Sequence, residues 1–92
     1  MEQEHITINK EMITKDSIEA AYAFFHQKWR VYEYSHSERQ RDDIEYAIAD
    51  YVGNMSPELY ARLADGRTDF LYDHDNFASD ISKAIDKLDN ML

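Results

Sequence analysis

The sequence contains no cysteine, and this absence excludes several structures and chemistries together. Disulfide frameworks, thiolate nucleophiles and thiolate metal sites all need that residue. Long hydrophobic runs are also missing, because the longest apolar stretch, from Ala20 to Phe25, is far too short to span a bilayer. Residues 1–10 lack the basic start and the apolar stretch of a secretory signal. We therefore expect a cytoplasmic protein that does not associate with membranes.

Glycine and proline are scarce, with two and one residues respectively in a chain of 92. All-β folds and glycine-built ligand loops rely on these residue types, so long helices joined by short turns are favoured. Motifs of the HExxH, GxSxG and GxxxxGK kinds are absent as well. We therefore expect a protein that is not an enzyme, with no cofactor and no small-molecule substrate.

The charge is one-sided, because 19 acidic side chains outnumber ten basic ones and leave a net charge of −9. An overall field of this sign repels phosphate backbones and anionic membrane surfaces, which argues against nucleic acid as a partner. The acidic residues are spread evenly along the chain, as is typical of a soluble surface. The same spread is compatible with a DNA mimic that blocks a DNA-binding protein, and we keep this as one alternative function.

Hydrophobic periodicity typical of helices runs through most of the chain and predicts an all-α fold. We expect one domain over residues 1–92, with an extended arm over residues 1–14 and a small helical bundle over residues 15–92. The bundle has three long helices and one short helix, predicted at residues 17–34, 38–52, 57–65 and 76–91. Ile6 and Ile8 alternate with polar residues, so the arm can pair with Phe70–Tyr72 in a minimal two-stranded ribbon.

Capping residues predict where these helices begin and end. Asp16, with Glu19 three residues later, forms a capping pair for the first helix. Ser37 is the predicted N-cap of the second helix, and Gly53 supplies a left-handed stop at its end. Ser56–Pro57 is the clearest helix start in the chain, with an N-cap hydroxyl followed by proline at the first helical position.

The apolar faces of these helices predict the hydrophobic core. Its expected members are Ile18, Phe25, Trp29, Ile44, Ile48, Tyr51, Leu59, Leu63, Ile81, Ile85 and Leu88. We place Trp29 at the centre of this packing, so Trp29→Ala is expected to lower the free energy of unfolding by about 3–5 kcal/mol.

The first long helix is apolar on two sides, and this feature indicates a partner. Ile18 and Phe25 lie on one stripe, whereas Phe24 and Val31 lie on a second stripe at helical spacing. A single small bundle covers one such stripe, so the second predicts a homodimer or another protein partner. Exposed tyrosines are also common at interfaces. The predicted partner-binding residues are Phe24, Val31, Tyr34 and Tyr46, and the leading function is a non-catalytic protein-interaction or regulatory domain that self-associates.

The segment from Ile48 to Leu63 supports a second alternative, a helix-turn-helix regulator that binds DNA. Apolar and small residues, a turn glycine and the Ser56–Pro57 helix start match the spacing of that motif. The outward positions of the would-be recognition helix, however, include Glu58 and Arg62 in a set poorly suited to reading bases. The spacing also arises in ordinary helical hairpins.

The segment Asp73–Asn76 resembles a cluster of metal ligands, because oxygen and imidazole donors suit Mg²⁺, Mn²⁺ or Zn²⁺. Three adjacent residues rarely converge on one ion, and the pattern lacks the glycine and distal glutamate of a calcium-binding EF-hand loop. The simpler interpretation is that Asp73 or Asp75 caps the fourth helix. We therefore expect no metal site.

Overall fold

The computed structural model describes residues 13–92, and this range contains four α-helices and one 3₁₀ turn joined by connecting segments. In chain order the elements are α1 (Lys15–Glu33), α2 (Glu38–Asn54), α3 (Pro57–Ala64), a 3₁₀ turn (His74–Asn76) and α4 (Phe77–Met91). No strand occurs within this range. The prediction of an all-α bundle with three long helices and one short helix is therefore confirmed. Within residues 13–92, no helix has the length and apolarity that a membrane span requires.

The predicted ribbon is not supported. Its first strand lies almost entirely in residues 1–12, outside the described residues. Its second strand, Phe70–Tyr72, is a turn in which the Tyr72 N–H donates to the Asp69 carbonyl at 2.9 Å. Leu71 has a φ of 68°, in the left-handed region, so this segment cannot continue as an extended strand. Phe70 and Leu71 are buried in the core instead.

α1 begins with a capping box that differs from the predicted one. The Thr14 side chain accepts the Ser17 N–H at 3.0 Å, and the Ser17 side chain accepts the Thr14 N–H at 2.9 Å. Thr14 is therefore the N-cap and Asp16 lies in the first turn, so the predicted pairing of Asp16 with Glu19 is wrong. The hydroxyls of Thr14 and Ser17 accept hydrogen bonds from the free N–H groups at the helix start, as the predicted carboxylates of Asp16 and Glu19 would have done.

The starts of α2 and α3 are confirmed. Ser37 accepts the Gln40 N–H at 3.3 Å, and Ser56 accepts the Leu59 N–H at 3.4 Å with Pro57 at the first helical position. The predicted stop at Gly53 is wrong, because Gly53 lies inside α2 without a positive φ.

α1 packs against both α4 and α2, while α3 packs against α4. Most of the predicted core is buried, but Trp29, Tyr51 and Ile85 are only half-buried at its margin. Their place at the centre is taken by Phe70, Leu71 and Phe77, which are almost completely buried. Phe70 and Leu71 are buried because the loop between α3 and α4 folds inward over the helices, whereas Phe77 is buried at the start of α4.

Candidate functional site

One continuous stripe of α1 is exposed to solvent along the whole helix. Its members recur every three or four residues, with Glu19–Ala20 and Arg30–Val31 as adjacent pairs, and this pattern places their side chains on one helix face. We call this set the outer stripe of α1; its residues are Asp16, Glu19, Ala20, Ala23, Gln27, Arg30, Val31 and Tyr34. In a bundle helix such a face is normally polar, whereas this one carries two alanines, a valine and a tyrosine.

A groove of about 730 Å³ follows the C-terminal half of the outer stripe. Its lining includes Tyr22, His26, Arg30, Val31, Tyr34 and Gln40. The Tyr22 and His26 rings stack one turn apart, with centroids 5.7 Å from each other. Aromatic and aliphatic surface beside the exposed guanidinium of Arg30 suits a protein surface that is partly apolar and partly acidic.

The turn between α1 and α2 shapes one end of this groove. Ser35 is buried there, and its hydroxyl lies 2.9 Å from the Gln40 side-chain oxygen and 3.1 Å from the Ser37 carbonyl. The Arg41 guanidinium donates to the Ser35 carbonyl at 3.1 Å. These bonds fix the backbone at the groove's end, so a partner would meet a largely preformed surface there.

The four predicted partner-binding residues do not form one surface. Val31 and Tyr34 line the groove together and are 41% and 74% exposed. Tyr46 is 76% exposed but lies on α2, outside the groove lining. Phe24 is half-buried and stacks on Tyr51 of α2, with ring centroids 4.2 Å apart. α2 therefore covers the second apolar stripe at Phe24 and leaves it open at Val31.

Tyr22 and His26 are among the groove residues that were not identified from the sequence as binding residues. Tyr22 belongs to the core-facing stripe by periodicity, and His26 carries no motif around it. Their spacing of four residues does allow a stacked pair on a helix face, and this was the one available signal.

The surface of α3, where the helix-turn-helix hypothesis places its reading residues, carries paired charges. Arg62 lies 3.8 Å from Glu58 one turn away, and Lys87 lies 3.7 Å from Asp65 at the end of α3. The glycine that the motif needs in its turn, Gly53, is helical. Cations that already face carboxylates offer less charge to a phosphate backbone.

A second polar cluster forms where α2 meets the 3₁₀ turn. Asp42 and Glu45 lie one turn apart on α2, and one potential ligand atom from each lies within 4.8 Å of a ring nitrogen of His74. The His74 Nδ1 is 2.9 Å from Glu45 Oε1, and this hydrogen bond, together with the carboxylate's charge, raises the pKa of His74. The Tyr32 hydroxyl donates to Glu45 Oε2 at 3.1 Å; burial, and then this bond, raise the pKa of Tyr32.

The sequence neighbours of His74 have a different role. Asp73 accepts the Asp75 N–H at 3.1 Å and so caps the 3₁₀ turn, while Asn76, the N-cap residue of α4, makes no capping hydrogen bond with its side chain. The prediction that Asp73 or Asp75 caps α4 is therefore wrong, because the N-cap of α4 is Asn76. The contacts of His74 instead join it to residues about 30 positions earlier in the chain.

Comparison with known proteins assigns no family: the protein-family models, the curated proteins and the solved structures yield no match to this chain. Function is therefore argued from the geometry of the groove and of the cluster.

Proposed function

We propose that this protein is a non-catalytic interaction or regulatory domain that self-associates through the outer stripe of α1. The observation that carries the proposal is the open groove beside Val31 and Tyr34, on a helix that is already packed on its other sides by α2 and α4. Exposed apolar side chains that line a concave surface mark interaction sites more often than isolated ones do.

The order of charges along the outer stripe favours a second copy in antiparallel orientation. Asp16 and Glu19 lie at its N-terminal end, and Arg30 lies near its C-terminal end. An antiparallel pair turns the acidic end of each copy towards the half of the other copy that carries Arg30, whereas a parallel pair sets like charges together. Complementary charges of this kind fix orientation more than they add affinity.

The sizes of the side chains agree with the same arrangement. A two-fold axis near Gln27 places Ala20 of one copy opposite Tyr34 of the other, and Ala23 opposite Val31. Small residues facing large ones allow two helices to approach closely. Because the stripe exposes only two large apolar side chains, we expect a reversible dimer rather than an obligate one.

Sedimentation velocity over a range of micromolar concentrations tests this proposal. The wild-type protein should shift from monomer to dimer, and Val31→Glu should remain a monomer because it places two carboxylates at the contact. Tyr46→Glu is the matched control, since it adds the same charge at an exposed residue outside the groove, and it should dimerise normally. Phe24→Glu is a poor probe because it also breaks the stack with Tyr51.

A wild-type protein that stays monomeric throughout this range would refute self-association. If Val31→Glu still dimerises and Tyr46→Glu does not, the interface lies on α2 instead.

Passage over duplex DNA and heparin columns at low salt tests whether this protein binds DNA. We expect no retention; salt-dependent retention would favour the helix-turn-helix of residues 48–63, and specific capture of a DNA-binding protein would favour the DNA mimic.

A further inference from the structure

We propose that Asp42, Glu45 and His74 form a binding site for a divalent cation of the zinc class, which joins α2 to the 3₁₀ turn before α4. The site departs from the sequence-based expectation of no metal, because its ligands come from two distant segments of the chain. The site shares no residue with the groove, so this proposal does not depend on the proposed dimer.

The donor set defines the class of metal. Two carboxylates and one imidazole provide oxygen and nitrogen ligands, a combination that Zn²⁺ accepts readily and Mg²⁺ does not prefer. The three potential ligand atoms lie within 4.8 Å of one another. Zinc bonds of about 2.0–2.2 Å need ligand atoms somewhat closer than that, and the His74 side chain, 61% exposed, is free to make the adjustment.

The surroundings of Glu45 resemble the outer shell of a metal site. Its Oε2 accepts the Tyr32 hydroxyl, which leaves Oε1 directed at His74. Tyr32 in turn stacks on Phe77 of α4, with ring centroids 5.0 Å apart, so the supporting hydroxyl is anchored to the core. Hydrogen bonds from outer-shell groups orient ligating carboxylates and hold them in place for the ion.

Electrostatics favour a cation at this position. With the imidazole neutral, the three ligands carry two negative charges, and the whole chain carries −9. A divalent ion would neutralise the two carboxylates that α2 places side by side. With three protein ligands, a water molecule would complete a tetrahedral zinc site.

Isothermal titration of the full-length protein with ZnCl₂ at pH 8 tests the proposal, since the imidazole must be neutral to bind the ion. We expect one saturable site in the wild-type protein. His74→Ala and Asp42→Asn should each weaken binding by about tenfold or more. His36→Ala is the matched control, because it removes another exposed histidine outside the cluster, and it should bind as the wild type does.

Thermal melts of the same variants provide the second measurement. Zn²⁺ should raise the melting temperature of the wild type and of His36→Ala, and it should leave that of His74→Ala unchanged, because only an intact site joins the two segments. An equal excess of Mg²⁺ should not displace the zinc. The proposal is refuted if the wild type shows no saturable binding, if His74→Ala binds as tightly as the wild type, or if Mg²⁺ competes.

Discussion

At the scale of single residues, Asp80 is the most consequential polar group in the described part of the chain. It lies on α4 with 1% of its surface exposed, and it accepts hydrogen bonds from the Leu71 N–H at 3.1 Å and from the Arg67 guanidinium. These bonds hold the loop between α3 and α4 in its inward conformation, with Leu71 at a positive φ. A bulky residue in the left-handed region persists only where its surroundings enforce it.

Asp80→Ala should therefore lower the free energy of unfolding by about 1–3 kcal/mol, because it leaves the buried Leu71 N–H without an acceptor. Urea denaturation measures the change. Asp69→Ala is the control, since Asp69 is the other carboxylate bonded to Arg67 but is itself exposed. Its loss should cost about 0.5 kcal/mol or less. Equal losses in the two variants would mean that Asp80 does not anchor the loop.

The burial of the aromatic residues of α1 sets a second expectation. Phe25 is fully buried, whereas Trp29, one turn later, is only half-buried. Phe25→Ala should cost about 3–5 kcal/mol, and Trp29→Ala about half as much, which revises the sequence-based value for Trp29. Urea denaturation of the two variants tests which substitution lowers the free energy of unfolding more. The midpoints can be compared directly if the dependence of the free energy on urea concentration is unchanged. A larger loss for Trp29→Ala would contradict the observed packing.

At the scale of elements, the two glycines have opposite roles. Gly53 lies inside α2, and a Cβ added there would meet no atom within 4 Å beyond its chain neighbours and the nearby backbone of its own helix. Gly66 follows α3 with a φ of 91°, a conformation that side chains disfavour. Gly53→Ala should therefore stabilise the protein by about 0.5–1 kcal/mol, and Gly66→Ala should destabilise it by about 1 kcal/mol or more.

Thermal melts of the two single variants measure how each substitution changes the melting temperature. Each variant is the control for the other, because both replace glycine with alanine. An increase in melting temperature for Gly66→Ala, or a decrease for Gly53→Ala, would show that the assigned backbone conformations are wrong.

Helix starts could be predicted from the sequence where one residue carries the signal, as Ser37 and Ser56–Pro57 do. The start of α1 could not, because Thr14 and Ser17 act as a reciprocal pair and the nearby Asp16 offered a stronger local pattern. The inward loop could not be predicted either. Phe70 and Leu71 resemble a short strand by composition. Their conformation depends on side chains outside the segment, because Asp80 accepts the Leu71 N–H and the Tyr60 hydroxyl donates to the Phe70 carbonyl.

At the scale of the whole molecule, periodicity was sufficient to place Val31 and Tyr34 on an open face, because exposure along one helix follows from spacing. It could not show that Phe24 is covered, since that depends on the position of Tyr51 on another helix. The pairing of Glu45 with His74 joins residues 29 positions apart, and no local spacing indicates it.

The net charge also predicts how self-association responds to salt. Two copies of charge −9 held about 25 Å apart in water repel by roughly 13 kcal/mol before screening. The exposed contacts between opposite charges at the outer stripe contribute about 1 kcal/mol or less each, so repulsion between the copies dominates at low salt. The Debye length falls from about 30 Å at 0.01 M salt to about 8 Å at 0.15 M, which screens most of this repulsion.

The dimer should therefore be tighter at 0.15 M than at 0.01 M salt, although single ion pairs weaken over the same range. Sedimentation equilibrium at the two concentrations measures the difference, with Val31→Glu expected to be monomeric in both. A dimer that loosens as salt is added would mean that ion pairs such as those between Arg30 and the acidic end of the partner copy outweigh the net repulsion. In that case Arg30→Gln would weaken the dimer at 0.01 M salt and reduce the loosening that added salt causes.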